Sequence, residues 1–308
     1  MKLEGIHHIT AITGDAPQNV RFYVGTLGLR LVKKSVNQDV PNIYHLFYAD
    51  EEGGAGSDIT FFEYPGASKG RAGAGMVHRI VWRVGSEESL DFWTTRLAEA
   101  GVATERDGGS LRFSDPEGLD LELRVVETTD EPLMAKHPEI PEAHALQGFD
   151  GAYAYTDDPA KSAPLLESTM NFERESDSSW TVRGEQRGSF FVYDEAPDAP
   201  GIEGAGTVHH IAWSSPMEDH SPWRDRVAAA GMHVTPVIDR FYFKSIYFRE
   251  PSGVLFEIAS MGPGFAVDEP LEHLGEKIAL PPNFEHLRDQ VEKELTPLPD
   301  PRAEARAT

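Results

Sequence analysis

The sequence contains no cysteine, which excludes disulfides, thiolate metal sites, iron–sulfur clusters and cysteine nucleophiles. Lysine is scarce: only nine of the 28 basic residues are Lys, against 51 acidic ones, and the net charge is −23. Such a surface repels nucleic acid and anionic lipid, so neither is expected as a partner. It suits a high-salt cytoplasm, where salt screens self-repulsion, and equally an ordinary acidic protein. No apolar run reaches about 18 residues, so no membrane span is expected. The opening "MKLEGIHHIT" enters a strand pattern with no apolar stretch behind basic residues, which predicts no signal peptide and a cytoplasmic protein. What is present is globular in composition, 40% hydrophobic and 26% charged, and 308 residues suffice for two ordinary domains.

Four stretches open with a short apolar strand: "GIHHITAIT" (5–13), "MVHRIVWRV" (76–84), "GFDGAYAYT" (148–156) and "TVHHIAWSS" (207–215). Each precedes a helix-like segment, at 16–27, 86–100, 158–170 and 219–230. Asp15, Ser86 and Asp158-Pro159 mark helix starts, and Gly28, Gly101 and Gly231 mark stops. Aromatic and β-branched strand runs follow, such as "NIYHLFYAD" and "FKSIYFRE". Units two and four also match at their ends, "FSDPEGLDLELRVV" against "FREPSGVLFEIAS". The pattern predicts an α+β chain of four βαβββ units at roughly 70-residue intervals. The longest connection, "ETTDEPLMAKHPEIPEAH", is the natural linker, dividing the chain into a first pair of units (1–139), a second pair (140–262) and a tail (263–308) with one helix near 283–295.

Aligning the first strands puts His8, Arg79, Gly151 and His210 in one column, preceded by His7, His78, Asp150 and His209. Aligning the last strands puts Glu122 with Glu257; Val192 falls there in unit three, and Glu63 is the candidate in unit one. Residues two apart share a strand face, so strict alternation places Ile6, His8 and Thr10 together, and Val208, His210 and Ala212 together. His209 then points away from His210 unless the strand bulges. If units one and four curve into a cup, His8, His210 and Glu257 meet: two imidazoles and one carboxylate. That set, with open positions, suits Fe(II) oxygen chemistry. Glu257 lies in the apolar "VLFEIAS", where a lone carboxylate is costly unless paired or metal-bound.

The four units, "GIHHIT", "VHHIAW" and "REPSGVLFEIAS" resemble the vicinal oxygen chelate (glyoxalase/bleomycin-resistance/extradiol dioxygenase) superfamily, and within it the dioxygenases that cleave hydroquinone rings. The resemblance runs over about 1–262, and "HLGEKIALPPNFEHLRDQVEKEL" in the tail shares it. It implies Fe(II), sometimes Mn(II), on His8, His210 and Glu257, with a small aromatic diol and O2 as reactants. It also implies that Arg240 and Tyr247, from "DRFYFKSIYFREPSG", sit near the metal, and that Thr10 and His209 contact substrate. Catechol-cleaving members take their first His from unit three, where this chain has Gly151. Units one and four are therefore expected to pair around the metal. Units two and three are expected to form a metal-free module holding Arg79, Gly151 and Glu122. A homo-oligomer is compatible with this reading.

Two other functions share the fold. One is a glyoxalase-like isomerase or thiol transferase using Ni(II), Zn(II) or Mn(II) with a fourth ligand, for which Glu63 is the candidate. The other is a metabolite-binding module without metal. "GASKG" at 66–70 matches a hydrolase elbow but lacks the following helix. The Gly-rich loops lack a phosphate-loop Lys. His45, His144, His220, His233, His273 and His286 have no ligand spacing among themselves and read as surface or structural. The "FYF" run at 241–243 reads as core with an edge toward the pocket.

Overall fold

The structure, a computed structural model, describes residues 1–302. Unit one is β1 (Ile6–Thr13), α1 (Ala16–Val20) widening into a π-type turn over Arg21–Thr26, then β2 (Arg30–Val36), β3 (Tyr44–Ala49) and β4 (Asp58–Glu63). Unit two is β5 (Met76–Val84), α2 (Glu87–Glu99), β6 (Glu105–Asp107), β7 (Ser110–Ser114) and β8 (Asp120–Val125). Unit three is β9 (Phe149–Thr156), β10 (Glu173–Arg174), β11 (Ser179–Arg183) and β12 (Gly188–Glu195). Unit four is β13 (Val208–Ser215), α3 (His220–Ala229), β14 (Ile238–Asp239), β15 (Phe243–Arg249) and β16 (Leu255–Pro263). The tail carries α4 (Arg288–Glu294), inside the expected 283–295.

The expected punctuation is used. Asp15 and Ser86 each accept a backbone N–H from the third residue beyond, satisfying a donor that the first helical turn leaves free. Gly101 and Gly231, at the ends of α2 and α3, have φ of 75° and 86°, left-handed values that a Cβ disfavours. Unit three departs from expectation. Instead of one helix over 158–170 it has two short turns, Pro159–Lys161 and Leu165–Thr169. Pro164 falls between them; its ring lacks an N–H and clashes with the preceding turn, so no regular helix runs through.

The strands form two eight-stranded sheets, in the orders β14-β15-β16-β13-β1-β4-β3-β2 and β10-β11-β12-β9-β5-β8-β7-β6. The first joins units one and four through antiparallel β1 and β13; the second joins units two and three through antiparallel β5 and β9. Each half of the chain thus gives one unit to each sheet. The main core lies under the helices, with Trp82, Trp93, Trp180, Trp213 and Trp223 fully buried. A smaller cluster, including Val32, Phe47, Ala212, Phe243 and Phe265, lines the inside of the first sheet.

Two connections are pinned by charge. The Asp130 carboxylate, in the long linker, accepts from Arg83 on β5, Arg183 on β11 and the Gly188 N–H on β12. The tail crosses the edge strand β2, where Ala279 donates to the Lys34 carbonyl at 2.8 Å. Beside it the fully buried Lys33 ammonium donates to Asp268 at 2.7 Å and to Glu269. Tyr242 also donates to Asp268, so the tail holds a residue of the pocket wall.

Candidate metal centre

The two His pairs sit on bulges. β1 matches β13 as Ile6↔Trp213 then His8↔Ala212, and as Thr10↔His210 then Ala11↔Val208. His7 and His209 are thus the extra residues of two irregularities in one pairing, and each bulge breaks the alternation. Ile6 and Val208 join the main core rather than sharing a face with His8 and His210, which corrects the strict period-two expectation. Both rings of each pair reach the cup side. His7 lies 5.2 Å from Phe243, and His209 5.5 Å from Phe62, ring centre to ring centre. Their Nδ1 atoms meet those of His8 and His210 at 2.9 and 2.8 Å. These contacts orient the inner rings so that Nε2 faces the cup.

There the side chains converge. His8 Nε2 and His210 Nε2 are 3.2 Å apart and lie 3.2 and 3.0 Å from Glu257 Oε2. Among the described residues this is the group of His and acidic side chains whose donor atoms gather closely enough to hold a metal ion. All three residues are buried, Glu257 completely. Burial, with the neighbouring His209 and His8, lowers the His210 pKa to about 4 despite Glu257. Burial alone would raise Glu257, but His8 and His210 outweigh it and hold the carboxyl well below its usual range. The result is an ionised carboxylate beside two buried imidazoles, a donor set suited to a cation. Donors about 2.1 Å from one ion at near-right angles stand about 3 Å apart, which is the spacing of these three atoms. Three donors on one face leave the opposite face for other ligands.

The second sheet shows what a buried carboxylate looks like when the chain supplies its counter-charge. Glu122, in the Glu257 column, has Arg124 at 2.6 Å, Arg79 at 3.2 Å and Arg112 at 3.4 Å. Arg79 occupies the His column and lies 3.9 Å over the Tyr153 ring. A Cβ on Gly151 would meet the Phe190 ring at 2.5 Å, so that position is filled from the neighbouring strand. Among the described residues, Glu257 has only the two imidazoles as ion-pair partners.

Around the triad, Thr10 Oγ1 lies 2.9 Å from His210 Nε2 and 2.8 Å from Thr60 Oγ1. Tyr247 pairs with Glu257 across β15 and β16, and its ring centre is 5.6 Å from that of His210. Burial and the Glu257 charge push its phenol well above its usual value, so it is protonated near neutrality. Arg240 Cζ stands 5.6 Å over the Tyr247 ring. Burial pulls this guanidinium down, but Tyr247 and Asp39 outweigh it and raise it above its ordinary value. Beside it, Phe241 has φ 73°, a strained left-handed value for a bulky residue, held by its N–H donating to Asp239. Arg240 and Tyr247 line the pocket with Phe243 and Tyr242 of the "FYF" run.

Two sequence expectations change. Glu63 is not the unit-one counterpart of Glu257. Ala212 pairs with Glu257 and Val81 with Glu122, so Thr10 and its partner Thr60 hold that place. Glu63 pairs with Thr13, three positions on, and accepts the Ala16 N–H at the start of α1. An odd separation turns it to the opposite face. His45, read as surface or structural, lines the pocket, with Nε2 2.9 Å from Thr60 Oγ1. Burial and the His8 and His210 charges lower its pKa well below the usual value. Its ordinary place in an alternating strand gave no spacing signal.

Changing His209 to Leu, which keeps the bulk but removes the ring nitrogens, is expected to weaken Mn(II) binding about 10- to 100-fold by freeing the His210 ring. Metal titration of purified protein reads this directly, and unchanged affinity would remove His209 as an orienting group.

Two cupped sheets of paired βαβββ units, one carrying a His/His/Glu cluster, define a two-module vicinal oxygen chelate fold. The chain belongs to the glyoxalase/bleomycin resistance protein/dioxygenase superfamily, whose pattern it matches over residues 5–123 and 144–258. It is 43% identical over 304 residues to a Bacillus subtilis (strain 168) protein named "Putative ring-cleaving dioxygenase MhqO", covering 96% of this chain and 97% of that one. It is 31% identical over 323 residues to the chlorohydroquinone/hydroquinone 1,2-dioxygenase of Sphingobium indicum, covering 94% and 95%. A crystal structure titled "putative dioxygenase" from Bacillus subtilis superposes with a TM-score of 0.90 at 42% identity, covering 97% of this chain and 98% of that one. Glyoxalase I from Zea mays, at 13% identity and a TM-score of 0.57 over 83% of this chain and 92% of that one, shares the fold.

Proposed function

We propose that this chain is a metal-dependent, extradiol-type ring-cleaving dioxygenase that opens a hydroquinone- or catechol-type ring with O2. His8, His210 and Glu257 hold Fe(II), or Mn(II) in its place. The carrying observation is Glu257: a fully buried carboxylate whose close ionic partners are two imidazoles, while its counterpart Glu122 is surrounded by guanidinium groups. The names of the relatives supply the reaction class.

When bound, the metal supplies a Lewis-acidic, redox-active centre with positions for a phenolate oxygen and O2. The protein residues do the rest. Phe47, Phe62 and Phe243 wall the pocket and hold the ring in an apolar slot. Tyr247, protonated near neutrality, donates a hydrogen bond or a proton to developing oxyanion character. Arg240 fixes the Tyr247 ring and adds positive potential. His209 holds the His210 ring through Nδ1, and Thr10 Oγ1 stands beside the metal-facing Nε2. Glu63 caps α1 and is unavailable as a fourth ligand, which weighs against the isomerase reading.

Anaerobic loading with Fe(II), followed by hydroquinone and then oxygen, should give diol-dependent O2 uptake and a ring-opened acid. Protein that binds metal and diol without consuming O2 would overturn the dioxygenase reading. Tyr247→Phe is expected to lower turnover about 100-fold with metal content unchanged; undiminished turnover would take Tyr247 out of the mechanism.

A further inference from the structure

The pocket mouth lies between two loops from different units. One is the bend after β2, carrying Gln38 and Asp39; the other precedes β15 and carries Arg240. They are joined by two parallel contacts, Arg240 Nη1 to Asp39 Oδ1 at 3.2 Å and Nη2 to Asp39 Oδ2 at 2.9 Å. Gln38 Nε2 also donates to the Arg240 carbonyl at 2.8 Å. This two-pronged match engages both terminal nitrogens of the guanidinium at the pocket mouth. Arg240 and Asp39 are the permanently charged side chains lining this pocket, and each engages the other. Below them lies the Glu257 carboxylate, and the remaining walls include Phe47, Phe62 and Phe243. A ring bearing its own carboxylate would therefore enter a pocket whose cation is already occupied, on a chain of net charge −23.

From this we infer that Asp39 is a specificity-determining residue: by engaging Arg240 it restricts the pocket to diols with uncharged ring substituents and rejects those with a carboxylate. The inference rests on the diol-binding reading above, and deepens it by naming the substrate class. Removing the Asp39 charge frees two charge-bearing donors at the mouth, which then pair with a substrate carboxylate.

The test compares methylhydroquinone with 2,5-dihydroxybenzoate, the same diol bearing a carboxylate. Binding to Mn(II)-loaded protein is measured anaerobically by calorimetry, and O2 uptake is measured on Fe(II)-loaded protein. Wild type should bind methylhydroquinone the more tightly. Asp39→Asn should shift the Kd ratio toward the carboxylate-bearing diol by about 10- to 100-fold, the scale of a hydrogen bond to a charged group. Asp177→Asn, on the exposed edge of the second sheet, changes net charge equally and should leave the ratio at the wild-type value. Asp39 lies on an exposed bend, so the variant is expected to fold. An unchanged ratio in Asp39→Asn, or an equal shift in Asp177→Asn, overturns the inference. A shifted binding ratio without O2 uptake by wild type upholds Asp39 as a selector and overturns ring cleavage. Failure of both diols to bind overturns both.

Discussion

Replacing Glu257 with Gln is expected to abolish tight metal binding and lower diol-dependent O2 uptake by more than about 100-fold, beyond the loss seen when a group merely supporting a ligand is removed. The substitution keeps side-chain volume and removes one charge from a fully buried position. Metal-free Glu257→Gln should be no more stable than metal-free wild type, because the contacts of the carboxylate with His8 and His210 outweigh its burial. The two proteins should diverge when Mn(II) is added. Wild type gains about 2.7 kcal/mol at a hundredfold excess over Kd, and the variant gains little. Parallel thermal melts with and without metal, together with metal content, decide the matter. Equal metal-dependent stabilisation of both proteins would exclude Glu257 as a ligand.

The largest effect on stability is expected far from that cup, at Asp130. Its carboxylate joins the buried Arg83 at 2.7 Å and Arg183 at 2.8 Å, and accepts the Gly188 N–H. Burial alone would raise its pKa, but Arg183 and Arg83 outweigh that and hold it well below the usual carboxylate range. Asp130→Ala leaves the Arg83 charge buried beside the more distant Asp150, and should cost about 3–5 kcal/mol. For a chain of this size that lowers Tm by about 5–8 °C. A depressed folded-state pKa means the contribution is complete above the unfolded value, about 3.9, and fades as pH falls toward the folded one. Denaturant midpoints of the two proteins should differ most at neutral pH and converge below about pH 4. A constant gap across that range would show that the contact is not ionic.

The architecture was legible because it repeats. The strand–helix–strand pattern, the caps at Asp15 and Ser86, and the stops at Gly101 and Gly231 are local signals set by backbone chemistry. The missing His at Gly151 pointed to units one and four as the pair, and the sheet order bears that out. Unit three's helix was overread because Pro164 outweighs the surrounding helix formers. Glu63 was misplaced because chemical likeness in an unaligned strand stood in for register, which the pairing of Thr10 with Thr60 decides. His45 reads as surface or structural in the sequence because a single His in an alternating strand looks the same whether its face meets solvent or a pocket.

What the sequence by itself determined is the βαβββ repeat, its pairing and the identity of the converging His, His and Glu residues, since periodicity and column position belong to the chain. Tertiary structure alone decided that His7 and His209 reach the same side as their neighbours, because a bulge appears only when two strands pair out of step. It alone decided that Asp39 meets Arg240 across 201 positions, because the two loops become neighbours only after the sheet closes. And it alone set Glu257 apart from Glu122: both are carboxylates in like strands, and their charge state depends on which partners folding places within a few ångströms.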